Sequence, residues 1–201
     1  MGLISDGSTI FDAGAMSIGG SMTLIKTLTA SNVTSLSFMN GTNDVVFNSN
    51  FKEYFVTVNN FHPRSDNKNF EISFSTNGSN FGLSKTTTQY RSIHTEDDGT
   101  TALAHIDSGD LVTSTANQIL VEGIGNNSDQ SCSGYIQFFD PAQTTFLKHF
   151  RSVFSSCNAG DRIDHFWVTG YADLTGPIVG FKFESGAGVA FDGVFSLYGI
   201  K

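Results

Sequence analysis

Phe70-Glu71-Ile72-Ser73-Phe74-Ser75 alternates large apolar and polar residues without a break. A period of two puts Phe70, Ile72 and Phe74 on one face and Glu71, Ser73 and Ser75 on the other. A half-buried β-strand requires that pattern, and the 3.6-residue period of a helix does not produce it. Asn77-Gly78-Ser79-Asn80 follows at once, a cluster of turn formers that ends the run.

Working outward, similar runs recur at short spacing. Toward the N-terminus they are Met22 to Leu28, Leu36 with Phe38, Val45-Val46-Phe47 after a turn at Asn40–Asp44, and Tyr54 to Val58, continuing toward Phe61 until Pro63. Toward the C-terminus they are Ile119-Leu120-Val121, Tyr135 to Phe139, Phe146 to Phe154, Phe166 to Tyr171, Val179 to Phe183, and the closing Val194 to Ile200. About ten short strands separated by turn residues make the pattern of an all-β sandwich or barrel. The middle, 84–116, is polar, and Thr101 to Ile106 reads equally as a strand or a short helical turn. The expected fold is a jelly-roll-like antiparallel β-sandwich, a single domain over 22–201. Phe70, Ile72, Phe74, Val179, Phe181 and Phe183 face inward.

The composition supports a packed core. Nineteen Phe in 201 residues supply bulk for it, and a charged content of only 15% argues against a disordered chain. Residues 1–21 differ. They are rich in Gly, Ser and other small residues, and Gly7, Gly14, Gly19 and Gly20 interrupt any regular element. They read as a flexible N-terminal anchoring arm whose apolar residues Leu3, Ile4, Ile10, Phe11, Met16 and Ile18 serve assembly.

Eleven Lys and Arg against 19 Asp and Glu leave a net charge of −8. That lacks the basic footprint needed to track phosphates, so nucleic acid is not an expected partner. No run of about 20 apolar residues offers a membrane span. Met1 to Asp6 has neither the basic start nor the apolar run of a secretion signal.

Chemistry-bearing motifs are absent. His62, His94, His105, His149 and His165 form no metal-ligand spacing, and no Gly-X-Ser-X-Gly or phosphate-cradling loop occurs. Glu96-Asp97-Asp98-Gly99 and Asn126-Asn127-Ser128-Asp129 lack the spacing of a calcium loop and read as solvated turns. No two of the 19 carboxylates stand out as a glycosidase pair. The chain is therefore expected to be no enzyme and to carry no cofactor or metal. Cys132 and Cys157 read as two reduced thiols, with a disulfide between neighbouring strands as the alternative.

Trp167 and Tyr171 fall on one face of their run, with Phe166 and Val168 on the other. An exposed Trp face stacks on a sugar ring, whereas a covered one belongs to the core or to a subunit interface. Tyr90 and Tyr135 are further candidates for the same glycan or interface role.

Several segments together resemble a family of small virion structural proteins of marine and cyanobacterial tailed bacteriophages. They are Gly20 to Ile25, Phe61 to Asn67, Ser133-Gly134-Tyr135 with Phe139-Asp140-Pro141, Thr144 to Phe150, Val168 to Tyr171, and Leu197 to Lys201. The resemblance implies a protein made in the host cytoplasm and built into the virion, as a capsid decoration protein or a fibre or tail component. The resemblance brings no catalytic residues; other virion proteins and further copies of the chain are the expected partners, and a host surface glycan bound by the aromatic candidates is the alternative.

Overall fold

A computed structural model of the chain describes residues 3–5, 8–12, 15–16 and 21–201, the first three segments in their backbone only. Strands β1 (Leu3–Ser5), β2 (Ser8–Asp12) and β3 (Ala15–Met16) pair antiparallel in a small sheet of their own. The segment read as an irregular arm thus contains short strands, and Gly7 and Gly14 stand between them in sequence rather than preventing them. The side chains of Leu3, Ile4, Ile10, Phe11 and Met16, and the whole of Ile18, lie outside the described residues.

Twelve strands build the domain. In chain order they are β4 (Met22–Val33), β5 (Ser35–Met39), β6 (Glu53–Pro63), β7 (Lys68–Ser75), β8 (Lys85–Thr95), β9 (Thr101–His105), β10 (Gln118–Ile124), β11 (Cys132–Phe139), β12 (Lys148–Cys157), β13 (Arg162–Ala172), β14 (Gly180–Ser185) and β15 (Phe191–Ile200). One sheet has four strands in the order β10-β7-β14-β5, and the other has eight in the order β4-β15-β6-β11-β12-β13-β8-β9.

These orders follow from one long hairpin wrapped around a core. β4 pairs with β15, β5 with β14, β6 with β11 and β7 with β10, all antiparallel. Successive pairs alternate between the two sheets, and β15·β6 and β14·β7 then knit each sheet together. This is a jelly roll. Two excursions enlarge it: β8-β9 leaves between β7 and β10, and β12-β13 leaves between β11 and β14. They meet at β13·β8 and extend one sheet to eight strands.

Phenylalanines from both sheets fill the space between them. Phe138 stacks on Phe181 at 3.9 Å, Phe61 lies 4.2 Å from Phe70, and Phe74 meets Phe150 edge-on at 5.1 Å. Phe70, Ile72, Phe74, Phe181 and Phe183 are buried as expected. Val179 is only half-buried and precedes β14, while Ile178 takes the core position. Tyr54, Val56 and Val58 point inward, and so does Phe61, at odd spacing. A bulge at Asn59-Asn60, with Asn60 at φ 53°, absorbs the change of parity. Val45-Val46-Phe47, expected as a strand, is irregular, yet Val45 and Phe47 are buried in the core.

The polar middle resolves into β8 and β9. The inner face of β8 carries Lys85, Thr87 and Gln89, all buried. Gln118 of β10 and the 106–117 segment satisfy part of it. Thr87 Oγ1 donates to Gln118 Oε1 at 2.5 Å and accepts from the Leu111 amide at 2.9 Å, and the Gln89 amide donates to Asp110 Oδ1 at 2.7 Å. Thr101–His105 is a strand, exposed along its length at the sheet edge.

Candidate functional site

The outer face of the eight-stranded sheet gathers the aromatic residues picked out in the sequence. Along β13 the side chains alternate as the sequence predicts. Phe166 and Val168 are buried in the core, while Trp167 is 39% exposed. Strand pairing sets Tyr90 opposite Trp167, Trp167 opposite Val153, and Val153 opposite Tyr135. Four neighbouring strands thus present one cross-strand row, with Tyr90 and Tyr135 flanking Trp167 and Val153. Adjacent strands lie about 4.8 Å apart, so Trp167 and Tyr135, two strands apart, are separated by about 10 Å at the backbone.

A shallow pocket of about 190 Å³ opens along this row, lined by Tyr90, Trp167, Val153, Tyr135, Arg151 and Thr169 among others. A second recess of about 260 Å³ adjoins it and shares Thr169. Thr86, Thr88, His149 and Tyr171 line its other walls. Tyr171 sits four residues from Trp167 on the same face, about 13 Å along the strand, and its ring meets His149 at 5.9 Å. All four aromatic candidates therefore occupy one face, and two adjoining pockets account for them. None belongs to the hydrophobic core of the chain.

Neighbours hold the platform. Phe55 stacks on Tyr135 at 4.6 Å, and the Tyr90 ring lies 5.1 Å from His105. His165 packs on Trp167 at 4.3 Å, its ring facing Ser155 Oγ at 2.9 Å from Nδ1. Burial holds the His165 imidazole below its usual pKa and so favours its neutral form. Arg151 donates from Nε to Gln137 Oε1 at 2.8 Å, and Gln137 in turn donates to Glu53. The Arg151 guanidinium carbon lies 5.9 Å from the centre of the Phe139 ring. Arg151, His149 and Thr169 were not singled out in the sequence. The alternation His149/Arg151/Val153 against Phe150/Ser152/Phe154 was the signal that could have placed the first two here.

Other candidates lie apart. Glu71 and Glu184 are cross-strand neighbours on the outer face of the smaller sheet, and both accept from Asn117 Nδ2 at 3.1 Å. Lys182 Nζ lies 2.9 Å from Glu184. Burial, and then the charge of Glu184, raise the pKa of Glu71. Cys132 and Cys157 lie on neighbouring strands, but Cys132 registers opposite Ser156 and points inward, so Cys157, one residue further, points outward. They are free thiols on opposite faces of the sheet. Among the described residues no three His, Cys, Asp or Glu side chains gather to hold a metal ion, and no helix is long and apolar enough to cross a membrane.

The molecule is thus a jelly-roll β-sandwich with an open aromatic face on its extended sheet. No protein-family model matches the chain, and no curated protein or solved structure matches it either.

Proposed function

We propose that this chain is a non-enzymatic structural protein of a bacteriophage virion, displayed on the particle surface as a capsid decoration protein or a fibre or tail component. The observation that carries the reading is the jelly-roll path of β4, β5, β6, β7, β10, β11, β14 and β15. Jelly rolls serve repeatedly as viral capsid and lectin domains, and this support is an analogy of fold. The segment resemblance to phage virion proteins points the same way. In this reading the chain assembles with other virion proteins and with further copies of itself through the β-domain, and residues 1–21 anchor it.

Mass spectrometry of purified virions tests the proposal, and absence of the protein from the particle sinks it. Among the described residues the hydrophobic core draws only on Ala30 and later positions, so deletion of residues 1–20 is the second test. The shortened protein is expected to fold and to fail to incorporate. Normal incorporation refutes the anchoring role.

A second reading is favoured by the row Tyr90–Trp167–Val153–Tyr135: a carbohydrate-binding module for host surface glycans. Exposed aromatic rings on a rigid sheet stack on sugar faces at little entropic cost. Both readings hold together if the module is displayed where the particle meets the cell.

A further inference from the structure

Resting on the carbohydrate reading of the aromatic face, we infer that its ligand is an acidic polysaccharide, one bearing carboxylate or sulfate groups, and that Arg151 is the residue that selects it. In a chain with a net charge of −8, the walls of the two adjoining pockets include no Asp or Glu among the described residues. Among the described residues Arg151 is their one permanent charge. A surface that keeps carboxylates out of a groove in an otherwise acidic protein is complementary to an anion.

The geometry of Arg151 fits that task. Its Nε is tied to Gln137, and its guanidinium lies near the Phe139 ring, so the group is oriented before any ligand arrives. Among the described residues no hydrogen bond engages its Nη atoms, which leaves two donors in a planar fork. That fork matches the paired oxygens of a carboxylate or a sulfate, where a lysine offers only a point charge. Glu53, the nearest carboxylate in this network, is reached only through Gln137.

The remaining walls fit a sugar chain. Trp167, Tyr90 and Tyr135 stand on either side of the Val153 floor, and Thr86, Thr88 and Thr169 line the way toward Tyr171. The two pockets meet at Thr169, so the track is continuous over about 13 Å of strand between Trp167 and Tyr171. That length suits several residues of a linear polysaccharide rather than a single sugar.

The test is binding of the full chain to polygalacturonate, dextran sulfate and unmodified dextran, followed by Trp fluorescence and titration calorimetry. Binding to polygalacturonate or dextran sulfate, at least tenfold tighter than to dextran, is expected, and the two charged polymers separate carboxylate from sulfate recognition. Arg151→Gln should remove that preference, and Arg151→Lys should restore it only in part. Trp167→Ala should weaken all binding, with circular dichroism unchanged. Equal affinity for dextran, or an unaltered preference in Arg151→Gln, overturns the acidic-ligand inference and leaves the sugar-binding reading standing. Binding to charged polymers that survives Trp167→Ala unchanged shows a diffuse ionic attraction and also overturns it. A folded protein that binds none of the three ends both the inference and the carbohydrate reading.

Discussion

Trp167 stands directly opposite Tyr90 across the β13·β8 pairing, and both rings open to solvent. Trp167 comes from one excursion of the jelly roll and Tyr90 from the other. The Trp167–Tyr90 part of the aromatic row therefore exists only where the two excursions join. As the only Trp of the chain, Trp167 reports on that junction by its own emission.

Its emission should be that of a solvent-exposed indole and should stay so from micromolar to millimolar protein. Acrylamide should quench it freely. A blue shift that grows with concentration would assign the face to contacts between copies and withdraw it from ligand binding.

Lys85 is fully buried, with its Nζ donating to the Leu83 carbonyl at 2.8 Å and lying 5.7 Å from the Phe74 ring centre. Burial lowers its pKa to about 8. The folded protein thus binds fewer protons than the unfolded chain between about pH 8 and the ordinary lysine value, so stability rises with pH across that window. At pH 7 the buried charge is a net cost. Lys85→Met should stabilise the protein at pH 7 by about 1–3 kcal/mol, after the loss of one hydrogen bond. The advantage should shrink above pH 8, as read by urea unfolding at pH 7 and pH 10.

Glu71 shows the opposite charge under a similar constraint. Its pKa is raised by burial and by Glu184, so the folded state takes up a proton before the unfolded chain does as pH falls. The cost of its charge is present at neutral pH and is relieved on acidification. Glu71→Gln should be more stable than the parent at pH 7 and no more stable at pH 3.5. A gain that is the same at both pH values would mean that the charge at this position is not its source.

Buried Cys132 and half-buried Cys157 should differ in reactivity. Burial pushes both thiols up, Cys132 furthest, so neither offers much thiolate at pH 7. A thiol reagent should modify Cys157 slowly in the native protein and Cys132 only after unfolding. Recovery of an intact Cys132–Cys157 disulfide would contradict the opposed faces of β11 and β12.

Gly134 of β11 is paired with Phe154 of β12. A Cβ there would stand 2.2 Å from the Val153 carbonyl oxygen and 2.6 Å from the Phe154 ring. Gly134→Ala should cost on the order of 1–3 kcal/mol through forced displacement of β12. Because Val153 floors the aromatic pocket, the same change should weaken ligand binding in calorimetry.

Alternation made much of the fold legible. The runs around Phe70, Tyr135, Phe166 and Phe181 declare strands because each buries one face in a core of phenylalanine. β8 was hidden because its buried face is Lys85, Thr87 and Gln89, and bonds to Leu83, to Gln118 and to the 106–117 segment packed against it make that face acceptable. Val45 and Phe47 misled in the other sense, since a core needs apolar side chains but not a ladder behind them. For the site, Trp167 and Tyr171 could be placed on one face from their own run. Their meeting with Tyr90, Tyr135 and Arg151 depends on the pairings β13·β8 and β11·β12, which no local pattern encodes.

The nesting of the long hairpin bears on when the protein can fold. β4 lies at a sheet edge, and among the described residues its one partner strand is β15. The Thr27 and Ser196 hydroxyls, 2.9 Å apart in the fold, belong to residues 169 positions apart in the chain. On the ribosome a twelve-residue strand must therefore wait, unpaired, until nearly the whole domain has been synthesised. Such distant pairing makes folding slow and leaves an adhesive edge open meanwhile. High-level production should therefore respond more to chaperone supply and growth temperature than to any substitution on the surface.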